Sequence, residues 1–253
     1  MQAFVNKLIV YPIKSLDGIE LPEVELTEYG NLKMDRQFAF KTEEDAFVNA
    51  KRFPEILKIR ASYDLENSQL SLKDENDSER FDLHLENQML NEFISDKLGK
   101  KIKLHENLKG GFPDDTKRQG PTVCSTQSFK ILSEWFPHLT LESLRRRFRA
   151  NIELNAESSD AFWEDELLFN GKSEISFKNS QIKLVKPCPR CPVPSRDPET
   201  AERDNSFQLK FEEFRKSYRQ YDQRELYPHY YLYAINTTVL KSGAIEKGEA
   251  LEI

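Results

Sequence analysis

Apolar and polar residues alternate in short runs along most of the chain, and the period becomes helical in only three places. Leu8–Tyr11 is an apolar run closed by Pro12. Asp17-Gly18 is a turn dipeptide, and Val24 and Leu26 alternate with charges after it. Arg36–Phe40 and Phe47–Asn49 read as a strand pair around the polar turn Thr42–Asp45, and Ile56–Tyr63 and Gln69–Lys73 continue the β pattern. Over Leu83–Leu98 the spacing of Leu90, Ile94 and Leu98 predicts an amphipathic helix with Gly99 just past its end. Residues 105–121 read as a long polar loop. A second helix is expected from about Ser125 through Phe129, Leu132, Trp135 and Phe136, stopped by Pro137. Phe148–Leu154 reads as a strand, Asn170-Gly171 within Leu167–Phe177 as a two-residue hairpin, and Gln181–Lys186 as a strand. Phe207, Phe211, Phe214 and Tyr218 put a helix over Asn205–Gln220. Strands with turns at Ser242-Gly243 and Lys247-Gly248 fill Tyr230–Ile253. Many short strands with few helices predict a mainly β (α+β), barrel-like architecture with helical decoration. The polar loop places a boundary between units 1–104 and 105–253.

Composition changes this picture little. The 253 residues allow one large or two modest domains, and 17 Phe with 9 Tyr supply an aromatic core despite 32% charged residues. The formal charge of −6 disfavours a nucleic-acid binder. Taken alone, it also argues against an anionic ligand. No apolar stretch reaches membrane-spanning length, and Met1–Ser15 lacks the apolar segment of a secretion signal. With three cysteines, the expectation is a cytoplasmic protein with free thiols.

Two stretches carry candidate chemistry. Cys188-Pro189-Arg190-Cys191 can chelate a metal, form a redox disulfide, supply one thiolate to a soft metal, or be two small residues at a barrel rim. A closed zinc site lacks a second ligand pair. A thioredoxin-like site needs a following helix, which Pro192 and Pro194 oppose. The second stretch, Arg145, Arg146, Arg147 and Arg149, is either a solvated charged face or part of a strand. In a strand over 147–154, Arg149 and Asn151 share the polar face and form a donor pair suited to phosphate or a pterin edge. Phe162, Trp163 and the 207–218 aromatics read as core, and Cys124 as a buried filler. His84, His105, His138 and His229 do not cluster.

These residues, taken in order, resemble the MOSC-domain family, named for the C-terminal domain of molybdenum cofactor sulfurase. The pattern is similar to that of its amidoxime-reducing and YcbX-type reductase branches. Val10-Tyr11-Pro12-Ile13-Lys14-Ser15 is similar to the family's Y-P-x-K-S opening, and Tyr29-Gly30-Asn31-Leu32 with Asp35-Arg36 to its G-L…D-R segment. Phe148-Arg149-Ala150-Asn151-Ile152 resembles F-R-P-N-I, and Phe162-Trp163-Glu164-Asp165 resembles F-x-E-D. Pro187-Cys188-Pro189-Arg190-Cys191 resembles P-C-x-R-C, followed by Asp197-Pro198-Glu199-Thr200 for D-P-x-T. The resemblance implies an N-terminal MOSC β-barrel-like region followed by a MOSC β-barrel. It implies a molybdopterin-type molybdenum cofactor with Cys191 as metal ligand and catalytic cysteine. Lys14, Ser15, Arg36, Arg149 and Asn151 would hold its phosphate and pterin, with Ser125, Ser128, Arg190 and Tyr231 completing the site. It further implies reduction of small N-oxygenated compounds with electrons from a separate flavin or iron–sulfur protein. No iron–sulfur cluster and no membrane anchor are expected in this chain. A non-catalytic carrier of cofactor or persulfide sulfur is the alternative. Three departures stand out: Ala150 for Pro, Pro189 for a small hydroxyl residue, and Pro194-Ser195-Arg196 for T-T-V.

Overall fold

The computed structural model describes residues 2–83, 87–117, 119–156, 160–218 and 229–252. His84 and the end of the helix expected over Asn205–Gln220 lie outside them. The first strands are β1 (Phe4–Val10), β2 (Ile19–Leu21), β3 (Glu23–Leu26) and β4 (Phe38–Thr42). Then come β5 (Arg60–Asp64), β6 (Gln69–Lys73), β7 (Ser78–Asp82), helix α1 (Gln88–Leu98) and β8 (Ile102–Glu106). The remaining elements are β9 (Val123–Ser125), α2 (Thr126–Trp135), α3 (Leu141–Phe148), β10 (Ile152–Asn155), α4 (Trp163–Phe169) and β11 (Glu174–Ser176). β12 (Gln181–Pro189), α5 (Phe207–Ser217), β13 (Leu232–Lys241) and β14 (Gly243–Glu246) close the chain. The architecture is mainly β, of α+β type, as the alternation predicts.

A seven-stranded sheet runs β11-β12-β13-β9-β10-β1-β2, antiparallel except for the β9–β10 pair. Its strands bury Val5, Leu8, Val123, Ile152, Leu184 and Ile235 in one core. β3 pairs with β14, so the two ends of the chain close on each other. A second core gathers Phe38, Phe40, Leu70, Leu72, Phe81, Phe93 and Ile94 between β4–β8 and α1. A third, largely aromatic core packs α2, α3 and α5 against β13 through Phe129, Phe136, Phe148, Phe207, Phe211 and Tyr233. Of the 207–218 aromatics expected in the core, Phe207 and Phe211 are buried there, whereas Phe214 and Tyr218 are exposed and pack on Trp135. The cores interleave along the sequence: Ala3–Val10 and Val24–Leu32 pack with the large sheet, whereas Ile13 and Leu16 between them belong to the second core.

Five local expectations are corrected. Phe148–Leu154 is not one strand. Residues 141–148 form a helix because Thr140 caps it by accepting from Ser143 N at 3.1 Å, and three arginines in its last turn complement the helix dipole. Arg149 then stops it in the left-handed conformation, and strand β10 begins only at Ile152. Asn170-Gly171 is the end of α4, not a hairpin, with Gly171 at φ 75°. The 105–121 loop loses its first residues to β8, whose partner is β4. β4 meets the Phe47 segment through a single Lys41–Phe47 bridge with the Val48 N–Phe40 O and Thr42 N–Ala46 O bonds, rather than as a full strand pair. Finally, Pro54–Lys58 is a 3-10 turn before β5, because Pro54 opens it with a fixed φ.

Candidate functional site

The four arginines of the basic run are neither a solvated face nor one side of a strand, because the helix sends each to a different partner. Arg145 makes a forked pair with buried Glu153 at 2.8 and 3.0 Å. Arg146 donates to Asp17 at 3.1 Å and to the Pro198 carbonyl at 2.9 Å. Arg147 is buried and binds the carbonyls of Pro194 and Arg196 and the carboxylate of Asp197. It therefore clamps the loop that follows the Cys188–Cys191 motif. Burial pulls the Arg147 pKa down, with Asp197 opposing.

Arg149 turns the other way. Its guanidinium lies 4.0 Å from the centre of the Tyr11 ring, and Nη1 donates to the Leu16 carbonyl at 2.7 Å. Arg36 stacks on the same ring at 5.3 Å and pairs with Asp35. Lys14 is buried, donates to the Phe112 carbonyl at 3.0 Å and pairs with Asp114. Lys14, Arg36 and Arg149, far apart in sequence, thus converge around Tyr11. Burial pushes the Tyr11 phenol up to about 12, against the pull of Arg149 and Arg36. Burial, reinforced by Arg36 and Arg149, lowers the Lys14 pKa despite Asp114. Ser15, Arg36 and Arg149 all adopt left-handed backbone, at φ 74°, 52° and 53°. Each such non-glycine residue costs on the order of 1 kcal/mol, and strain of this kind gathers where a site demands it.

Asn151 occupies a different role from the one its assumed strand position suggested. It is buried, and all its polar capacity is used. Nδ2 donates to Ile9 O and Asp35 Oδ1, both at 3.0 Å, and Oδ1 accepts from Thr122 N and Oγ1 at 3.2 and 3.1 Å. It is a positioning residue that fixes Asp35, which in turn holds Arg36. Asp35 also accepts from Tyr11 N at 2.9 Å.

The cysteine motif adjoins this cluster through one peptide. Arg190 Nη2 donates to Phe148 O at 2.5 Å, and the next residue is Arg149. Arg190 Nη1 lies 3.4 Å from Cys188 Sγ, and its backbone N–H donates to Tyr231 O at 3.0 Å. Burial opposes the Arg190 charge, but the two thiols outweigh it and raise its pKa. Cys188 is half-buried and Cys191 exposed. Pro192 is followed by a 3-10 turn over Val193–Ser195, so no helix N-terminus serves the motif as a thioredoxin-like site requires. Among the described residues, no three His, Cys, Asp or Glu side chains gather to hold a metal. Tyr231 is buried, and its hydroxyl has no hydrogen-bond partner among the described residues. Arg149 Nη2 and Arg190 Nε are buried and unpartnered in the same sense.

Ser125 and Ser128 do not present free hydroxyls. Ser125 caps α2, Ser128 Oγ donates to Glu164 Oε1 at 2.8 Å, and both serines are fully buried. Glu164 Oε1 also accepts from Ser125 N at 3.1 Å, so the start of α2 already has an acceptor supplied by the chain. Burial, then the neighbouring Asp165 charge, raises the Glu164 pKa. A carboxyl whose pKa is raised on folding binds its proton more tightly in the native state. Its contribution to stability is therefore full below the unfolded value and is lost as pH rises through the folded one. Thermal melts across pH 4.5–8 are expected to show stability falling with pH, with a shallower slope in Glu164→Gln. Equal slopes would show that Glu164 is not the group responsible. Asp114 is left unmarked by the sequence, and Asp35 and Glu164 enter it only inside the D-R and F-x-E-D resemblances, without a role.

A two-part β protein with a cationic cluster against a C-x-R-C thiol pair is the class that fold and site define. The MOSC N-terminal beta barrel domain matches residues 2–104, and the MOSC domain matches residues 122–252. The chain belongs to the MOSC-domain family. It is 26% identical to mitochondrial amidoxime reducing component 2 of Homo sapiens, over 97% of this chain and 82% of that protein. It is 24% identical to molybdenum cofactor sulfurase of Caenorhabditis elegans, over 83% of this chain and 31% of that protein. The solved structure of the YuaD protein from Bacillus subtilis superposes with a TM-score of 0.44 at 11% identity, covering 99% of this chain and 94% of that one. That match is too loose to carry an argument. Among the described residues, no helix is long and apolar enough to cross a membrane.

Proposed function

We propose that this chain binds a molybdopterin-type molybdenum cofactor and reduces small N-oxygenated compounds, taking electrons from a separate electron-transfer protein. The observation that carries the reading is the turn at Phe148-Arg149. Arg149, which shares the Tyr11 ring with Arg36, directly follows the Phe148 carbonyl that Arg190 binds, and three buried polar atoms, Arg149 Nη2, Arg190 Nε and Tyr231 Oη, are unpartnered among the described residues. Unpartnered buried donors are rare in folded proteins and are expected where a ligand completes them. Membership of the MOSC family and likeness to a molybdenum cofactor sulfurase and an amidoxime reducing component support the same choice.

Lys14, Arg36 and Arg149 would hold the cofactor's phosphate, with Ser15 at the edge of their cluster. Arg190 and Tyr231 would meet its pterin side. Cys191, exposed and flanked by Arg190, would supply the thiolate to the metal, a soft ligand for a soft centre. When bound, the group supplies two-electron oxygen-atom chemistry. The protein's part would be to orient it and to leave the exposed Cys191 face open to substrate. Asn151, Ser125 and Ser128 act at one remove, through Asp35 and Glu164.

The test is turnover. Protein loaded in a host that makes the cofactor, supplied with a chemical reductant, is expected to reduce benzamidoxime or a hydroxylamine. A second reading, transport of cofactor or of persulfide sulfur, draws on the exposure of Cys191 beside half-buried Cys188. Bound molybdenum without any turnover would transfer the weight to it.

A further inference from the structure

The cationic cluster is already partly neutralised by a residue of its own chain. Asp114 is exposed, yet its carboxylate pairs with Lys14. Its placement is built. Phe112 N donates to Arg36 O at 2.8 Å, Phe112 O accepts from Lys14 at 3.0 Å, and Asn107 Nδ2 donates to Gly111 O at 2.6 Å. Gly111, at φ 67°, lies so close to the Asp35–Arg36 backbone that an added Cβ would stand 2.7 Å from Arg36 O. Only glycine lets the loop rest there. The anchored part of the loop stops short of the carboxylate, whose side chain keeps 82% of its surface open. Crowding opposes the charge, but Lys14, then Arg36 and Arg149, outweigh it and bring the Asp114 pKa down to about 2. The group is therefore an anion at every physiological pH. Asp35 cannot leave in the same way, because Asn151, Tyr11 N and Arg36 all hold it.

We propose that Asp114 is an internal stand-in for the phosphate monoester of the cofactor, occupying Lys14 in the empty protein and displaced when the phosphate arrives. The idea rests on the cofactor reading above and adds a regulatory element to it. A tethered carboxylate lowers the apparent affinity for any competing anion and offsets the Lys14 charge, as Asp35 already offsets that of Arg36. With Asp114 displaced, the phosphate meets Lys14, Arg36 and Arg149 with Asp35 as the remaining carboxylate.

Titration of the full chain, purified from a host that cannot make the cofactor, with inorganic phosphate is the experiment. Wild type, Asp114→Asn and Lys14→Ala are compared by calorimetry and by the rise in melting temperature. The expected result is binding about tenfold tighter in Asp114→Asn than in wild type, and much weaker binding in Lys14→Ala. Binding in wild type that is unchanged or weakened in Asp114→Asn would overturn the stand-in while leaving the cationic site intact. No phosphate binding by wild type or Asp114→Asn would overturn both the stand-in and the phosphate site on which it rests.

Discussion

Replacing Arg149 with alanine is expected to strip the protein of its cofactor. The side chain would give a charge-assisted hydrogen bond through Nη2, which is buried and unpartnered among the described residues. Such bonds contribute about 1.5–3 kcal/mol each, so retention is expected to weaken by roughly 10- to 100-fold. Part of the change will appear as instability. The stacking on Tyr11 at 4.0 Å and the bond to Leu16 O are lost together. The backbone does not confound the variant, since alanine meets the same left-handed strain at φ 53° as arginine. Arg149→Lys keeps a charge but loses the planar fork and is expected to recover only part of the retention. Pterin released on denaturation, measured per chain, checks this. Wild-type occupancy in Arg149→Ala would remove Arg149 from the site.

Asn151→Ala is expected to give the largest loss of stability. Four hydrogen bonds disappear at a buried position. The Ile9 carbonyl and both Thr122 groups lose a partner, and Asp35 loses one of the donors to Oδ1. Stranded buried polar groups cost about 1–3 kcal/mol each, so a total on the order of 4 kcal/mol is expected after partial relaxation. The denaturant midpoint reads it. A loss under about 1 kcal/mol would mean that Asn151 does not organise Asp35 and Arg36 as described.

The elements that the sequence reveals and those that it conceals differ in kind. The β1 run, the α1 periodicity ending at Gly99 and the aromatic spacing of α5 are local patterns, and the structure keeps them. Residues 147–154 defeat the same reasoning because a helix ending on a left-handed arginine and then a strand leaves an apolar spacing that a single strand would also leave. Thr140, three residues before Ser143, is a capping signal that could have tipped the choice. Asn170-Gly171 is ambiguous for a related reason, since left-handed glycine serves a helix end as well as a hairpin.

The site was legible as a set of residues but not as a set of roles. Lys14, Arg36 and Arg149 do converge, although Arg149 gets there by a helix end and not by a strand face. Asn151, Ser125 and Ser128 prove to be internally bonded, because Asp35 and Glu164 come to them from distant parts of the chain. Long-range partners of that kind leave no periodic trace. The net charge of −6 misled for the same reason: it sums over the whole surface, whereas three cations gathered in one place suffice for a small anion.

Metal content is the most direct test of the central claim. Wild type and Cys191→Ala are expressed in a host that makes molybdenum cofactor, and molybdenum and zinc are measured per chain by mass spectrometry. The expected result is molybdenum approaching one equivalent in wild type, little in Cys191→Ala, and no stoichiometric zinc in either. One equivalent of zinc without molybdenum in wild type would contradict the account, as would molybdenum retained undiminished in Cys191→Ala.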